Sequence, residues 1–171
     1  MMSRWRKIAA LMSLAWLWAL PVRAETFESI KQTVRKTFPT VRQISTVELA
    51  AWLADTNLAQ PLLIDVREKE EFAVSHLRGA RNLQSVERVK SALPSNAQPV
   101  IVYCSVGYRS SELAEKLQRA GVTNVTNLEG SIFQWANEGR PLHRVTNEVR
   151  EVHGYSRKWG GLLNTNVPVK F

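Results

Sequence analysis

Cys104 is the only cysteine in the chain, and the residues that follow it, Ser105-Val106-Gly107-Tyr108-Arg109, are of types suited to holding an anion beside a thiol. A lone thiol cannot form an intramolecular disulfide. It is buried and inert, paired with another chain, or reactive. Val100-Ile101-Val102-Tyr103 reads as a buried strand, so Cys104 falls at its carboxyl end, the edge where open α/β sheets bind ligands. A helix opens at Ser110. A loop between a strand end and a helix start turns several backbone N–H groups into one concavity, and the helix dipole adds partial positive charge there. A thiol at the lip of that concavity is expected to have a lowered pKa and to exist partly as thiolate, the attacking form. Gly107 permits the tight loop through positive φ. Arg109 brings a permanent charge and a forked donor array that matches an oxyanion. The plainer account, a small hydrophobe ending a core strand, remains open for a cysteine taken alone.

The elements that must position this loop are legible around it. Leu62-Leu63-Ile64-Asp65-Val66 is a second short apolar run, bounded by Pro61 and a charged stretch, and Val125 to Leu128 a third. Such aliphatic and β-branched runs fit buried strands of a parallel sheet. Ser45 followed by Glu48 is a capping-box spacing that starts a helix through Leu53. Further helical patterns run from Val86 to Leu93, from Ser110 to Ala120 with Gly121 as the stop, and from Ser131 to Asn137. Alternating strands and helices predict an α/β fold with a central parallel sheet. Phe27, Ile30, Val34 and Phe38 mark an amphipathic helix ahead of it, its apolar stripe expected to pack on the domain. From Pro141 onward no periodicity is clear. This stretch is expected to wrap the surface as a tail, with Trp159 as an anchor.

Composition bounds the rest. The chain has 171 residues and is 44% hydrophobic, enough for one domain with extensions and a real core. Arg4, Arg6 and Lys7 precede an uncharged run from Ile8 to Leu20, then Pro21 and Val22-Arg23-Ala24. This is the layout of a signal peptide cleaved after Ala24, and it predicts an exported protein, periplasmic or secreted. The rival is an uncleaved anchor, for which the apolar run is short. The leader holds four of the 23 basic residues and none of the 15 acidic ones, which leaves a net charge of +4. The full-chain pI of 10.1 therefore overstates the basicity of the mature protein. A modest positive balance fits a small anionic substrate. No interleaving of basic and aromatic residues points to nucleic acid, and stable membrane insertion after cleavage is not expected.

The segment Leu63-Ile64-Asp65-Val66-Arg67-Glu68, followed by Glu71-Phe72 and then Ser75-His76-Leu77-Arg78-Gly79-Ala80-Arg81-Asn82-Leu83, resembles the first signature of the rhodanese family. Tyr103-Cys104 to Arg109-Ser110 resembles its active loop, and Leu128-Glu129-Gly130-Ser131-Ile132 with Trp135 its closing segment. The resemblance covers roughly residues 41–142. It divides the chain into a leader (1–24), an N-terminal helix (25–40), a rhodanese-like domain (41–142) and a tail (143–171). It implies a central parallel sheet of about five strands with helices on both faces. The reaction it implies moves a sulfane sulfur, for example from thiosulfate, through a Cys104 persulfide to a thiophilic acceptor such as cyanide or a thiol. A sulfur-acceptor protein is a further candidate partner. Related phosphatases and arsenate reductases carry a seven-residue loop. Here Cys104 to Arg109 is six residues, which by that family comparison favours sulfur over a tetrahedral oxyanion. Where many relatives have a proline, this chain has Arg78.

On this reading Cys104 attacks the outer sulfur of the donor and the loop amides of Ser105, Val106, Gly107, Tyr108 and Arg109 stabilise the persulfide. Two displacement steps through one covalent intermediate predict ping-pong kinetics. Arg109 is expected to hold the sulfonate end of the donor. Tyr108 offers a hydroxyl or simply covers the pocket. The resemblance places Asp65 and Arg67 at the pocket rim, against the plainer account of an ion pair fixing the strand-end turns. His76 reads as a turn residue, and Glu68, Glu70 and Glu71 as a solvated helix start. His143 and His153 lack metal-ligand spacing, so no metal or cofactor is expected. Three readings stand: an enzyme turning over a sulfane donor, a persulfide carrier, and a phosphatase or arsenate reductase of the same fold.

Overall fold

The computed structural model describes residues 25–94 and 97–171. The expected leader lies outside them. Five parallel strands form the central sheet in the order β1-β5-β4-β2-β3: β1 (Arg42–Ile44), β2 (Leu62–Asp65), β3 (Arg81–Asn82), β4 (Val100–Tyr103) and β5 (Val125–Leu128). β4 lies at the centre with all four residues buried, as a strand covered on both faces must be. The helices between strands pack as two separate pairs. α2 (Thr46–Ala54) meets α6 (Ser131–Asn137), and α4 (Val86–Ala92) meets α5 (Tyr108–Arg119). The short α3 (Lys69–Val74) connects β2 to β3. This is the α/β layering that the strand–helix alternation predicts.

Local chemistry sets the helix starts. Ser45 and Glu48 form the expected capping box, the Ser45 hydroxyl accepting from the Glu48 amide while Glu48 accepts from the Ser45 amide. At α5 the N-cap is Gly107, at φ 107. A side chain there would be strained, and a Cβ would come within 3.3 Å of Asn127 Nδ2. The α5 start therefore has no side-chain cap, and its first-turn amides stay open toward the loop. At Arg78 the turn closes with an Ala80 N–H to Leu77 C=O bond of 3.0 Å and with Gly79 at φ 74. The positive φ sits at the third position, where glycine is needed. Arg78 occupies the second, where proline is favoured but not required.

Register decides which loops meet. Asp65 pairs with Tyr103 across β2 and β4, so the carboxyl ends of these strands are level. The residues after them share one edge of the sheet. Over that edge lie two outlying pieces. α1 (Phe27–Thr37) buries Ile30 and Val34 and is tied down by a two-pronged bond from Arg35 to Glu129, at 2.7 and 2.9 Å, just beyond β5. The tail is more structured than its sequence suggests. It contains an antiparallel hairpin of β6 (Leu142–Arg144) and β7 (Asn147–Val149), then a parallel pair of β8 (Val152–His153) with β9 (Val169–Lys170), and the single turn α7 (Arg157–Gly160) between them. Asn137 on α6 holds it by donating to Leu162 C=O at 2.8 Å and accepting from the Asn164 amide at 2.7 Å. No helix among the described residues is long and apolar enough to cross a membrane.

Candidate active site

Cys104 follows β4 directly, is 1% exposed, and forms part of the floor of a cavity of about 420 Å³. Its sulfur accepts a hydrogen bond from the Gly107 amide at 3.1 Å. Two neighbouring helices fix the loop. α5 begins within it, and the α6 amides of Ile132 and Phe133 donate to the carbonyls of Cys104 and Ser105 at 3.2 and 3.1 Å. Drawing those carbonyls toward α6 leaves the amide side of the loop turned to the sulfur.

Ser131 completes the clamp. Its hydroxyl accepts from the Cys104 amide at 3.1 Å and donates to Leu128 C=O at 3.0 Å, and it is fully buried at a positive φ of 52. A non-glycine residue in that region stores strain, which persists where the surroundings hold it. In the sequence Ser131 stands only as a helix start within the closing segment, with no sign of this role beyond a serine after Gly130 at a strand end.

Burial pushes the Cys104 thiol up, but the Arg109 charge and hydrogen bonds from the Ser110 hydroxyl and from the Ser110 and Gly107 amides outweigh it. The net result is a thiol that ionises below its ordinary value. The Ser110 hydroxyl has a single proton and also meets Asn127 Oδ1 at 2.6 Å. Arg109 and the amides are the steadier contributors.

Arg109 is placed differently from expectation. Its two Nη atoms bond the two oxygens of Glu71, each at 2.9 Å, and Nη2 also reaches Ser105 Oγ at 3.0 Å. Ser105 in turn donates to Glu71 at 3.1 Å. The guanidinium also lies over the Tyr155 ring, 4.7 Å from its centre. A sulfonate would have to displace Glu71 to gain those donors. Glu71 itself is no part of a solvated helix start, for it is 2% exposed. Burial pushes its carboxyl up, but the Arg109 hydrogen bonds and charge, the Glu68 amide and the Arg67 charge hold it below the usual range. It is therefore an ionised, buried partner that tempers Arg109, and sequence spacing gave no sign of it.

Asp65 and Arg67 do not form the pocket rim. Both are fully buried and bond one another, Nη2 to Oδ2 at 2.7 Å, and Arg67 also donates to Ser75 C=O at 2.6 Å. Neither lines the cavity. They fix the strand-end turn, which corrects the rim placement. Ser105, Val106, Tyr108 and Arg109 do line it, whereas Gly107 contributes its amide from behind. Tyr108 is 45% exposed and packs edge-on against Phe38, with ring centres 5.1 Å apart, at the end of α1. His76 stacks on Phe72 and reaches its carbonyl at 3.0 Å, a turn-fixing position. Among the described residues no three His, Cys, Asp or Glu side chains are grouped to share a metal ion.

The cavity roof comes from outside the central sheet. Ile30 and Val34 of α1 and Tyr155 and Trp159 of the tail face the loop across it, and Glu25 meets Lys158 at 3.1 Å.

Fold and site together define an α/β protein that holds one free thiol at the end of a central parallel strand. Residues 45–138 match the model of the rhodanese-like domain. The chain belongs to that family. It is 33% identical over 104 residues to a protein named sulfurtransferase from Allochromatium vinosum, covering 60% of this chain and 94% of that one. It is 37% identical over 70 residues to the thiosulfate sulfurtransferase PspE of Escherichia coli, covering 39% of this chain and 67% of that one. The crystal structure of a rhodanese-related protein from Thermoplasma volcanium superposes with a TM-score of 0.51 at 27% identity, over 60% of this chain and 98% of that one. Of two further curated relatives, the chain spans 61% of the length of one and 49% of the other. Sulfur transfer is the general chemistry these relatives support for the domain.

Proposed function

We propose that the protein is a sulfurtransferase in which Cys104 takes a sulfane sulfur from a thiosulfate-like donor and passes it, as a persulfide, to a thiophilic acceptor such as cyanide or a thiol. The observation that carries this is the Cys104 sulfur at the cavity floor, receiving the Gly107 amide at 3.1 Å and held below its ordinary pKa. In the first step the thiolate attacks the outer sulfur of thiosulfate, the new S–S bond forms and sulfite leaves with the electron pair of the bond that breaks. In the second the acceptor attacks the same sulfur and Cys104 departs as thiolate. A thiol held below its ordinary pKa has less need of a separate base. The loop amides supply the anion hole in both steps.

A carrier role is the second reading, favoured by the roof that leaves Cys104 only 1% exposed. Steady-state formation of thiocyanate from thiosulfate and cyanide separates the two. The enzyme reading expects parallel double-reciprocal lines, the mark of ping-pong turnover. A single stoichiometric release without further turnover supports the carrier instead. We further propose export after cleavage at Ala24, into an oxidising setting in which a chain with one cysteine cannot form an internal disulfide.

A further inference from the structure

We infer that the preferred donor is an organic sulfane, a hydropersulfide R–S–SH whose R group is apolar, and that inorganic thiosulfate is a poor substitute for it; the inference rests on the sulfur-transfer reading of Cys104. The cavity above the sulfur is walled by Ile30 and Val34 from α1, Val106 from the loop, and the rings of Tyr155 and Trp159 from the tail. At about 420 Å³ it falls within the roughly 300–1,000 Å³ of pockets that enclose organic ligands. Thiosulfate, with five heavy atoms, would leave most of it empty or wet.

Charge makes the same distinction. Arg109 is the one basic side chain among the described residues lining the cavity. Both of its Nη atoms are on Glu71, and one face is covered by Tyr155. Glu25 adds a carboxylate at the far wall, shared with Lys158. A dianion entering this space loses its hydration without gaining an unshared cation, which is costly. A donor that is neutral, or carries a single charge at its sulfur end, puts that end on the loop amides and its R group on the apolar walls.

The chemistry balances without an oxidant. The Cys104 thiolate attacks the outer sulfur of R–S–SH, the Sγ–S bond forms and the donor S–S bond breaks. The R–S⁻ thiolate leaves with the electron pair, and the proton travels with the transferred sulfur. A thiosulfonate R–SO₂–S⁻ reacts in the same way and releases the sulfinate R–SO₂⁻, which makes it a stable probe in which R alone is varied.

The test is the rate of single-turnover sulfur loading onto Cys104 from thiosulfate, methanethiosulfonate and benzenethiosulfonate, each divided by the rate of that donor with free cysteine. The normalised rate for benzenethiosulfonate should exceed that for methanethiosulfonate by about 10-fold or more, with thiosulfate the slowest. Val34→Ser, checked for an unchanged fold by its denaturation midpoint, should narrow the benzene-to-methane ratio. A thiosulfate rate equal to or above the benzenethiosulfonate rate overturns the apolar donor while leaving sulfur transfer standing. An unchanged ratio in a folded Val34→Ser protein overturns the assignment of the R group to this cavity. Loading by none of the three defeats the sulfur-transfer reading itself.

Discussion

Two arginines stand at the same edge of the sheet, each beside a carboxylate, and they do different work. Arg67 follows β2 and is sealed in: fully buried, paired to Asp65, with its own carbonyl held by Asn82 and Gln84 at 2.7 Å each. Arg109 follows β4, its side chain 30% exposed, between Glu71 and the Cys104 sulfur. Burial alone separates a charge that holds shape from one that acts on a thiol. The first pair is turned chiefly on itself, with a lesser reach to Glu71 and Tyr103. The second keeps enough to hold Cys104 below its ordinary pKa despite complete burial.

Breaking the buried pair should have the largest effect on stability. Asp65→Ala leaves Arg67 uncompensated in the interior, and the expected loss is about 3–5 kcal/mol, read from the urea midpoint. Arg67 already has one nitrogen, Nη1, without a partner among the described residues, so it has little to fall back on. Replacing both members by Leu and Met of similar shape should recover part of that loss. If Asp65→Ala cost no more than an exposed ion pair, under ~1 kcal/mol, the contrast between the two arginines would collapse.

Next comes the loop. Gly107→Ala must adopt φ near 107 with its Cβ 3.3 Å from Asn127 Nδ2, a strain of order 1–3 kcal/mol. Because the Gly107 amide also meets the sulfur, persulfide formation should fall by more than the loss of stability explains. Unaltered loading kinetics in Gly107→Ala would show that the amide cradle does not serve the sulfur.

The smallest effects are the most discriminating. Iodoacetamide alkylation of Cys104 should rise with pH about a midpoint below that of an ordinary thiol. Arg109→Gln removes the leading favourable charge and should move that midpoint up, whereas Glu71→Gln frees Arg109 and should move it down. Movement of both variants in one direction would contradict the pairing. The same depressed pKa has a consequence for stability. Its contribution is fully present above the pKa of the unfolded thiol and is lost as pH falls through the lower, folded value.

What the sequence revealed was what is local in it. The loop from Cys104 to Arg109, the strands on either side and the Ser45–Glu48 cap are each written within a few consecutive residues. Glu71 was misread because its partner Arg109 lies 38 residues away, and the run Glu68-Lys69-Glu70-Glu71 looks like any solvated helix start. The cavity roof was invisible for the same reason. It needs residues 29–34 and 155–159 brought over one loop, and no periodicity records that. β3 and β8 have two residues each, too few to show an alternation. Asp65 and Arg67 show the limit of analogy, since family position suggested the rim while their burial puts them beneath it.

The claim that most needs testing is that Cys104 accepts sulfur. Intact-mass spectrometry of the purified protein after incubation with a sulfane donor, thiosulfate or benzenethiosulfonate, addresses it directly, with Cys104→Ser alongside. The expected result is a gain of one sulfur atom in the native protein, removed by cyanide, and no gain in Cys104→Ser. A native protein that takes up no sulfur from either donor, or a Cys104→Ser variant that takes it up equally, would contradict the account.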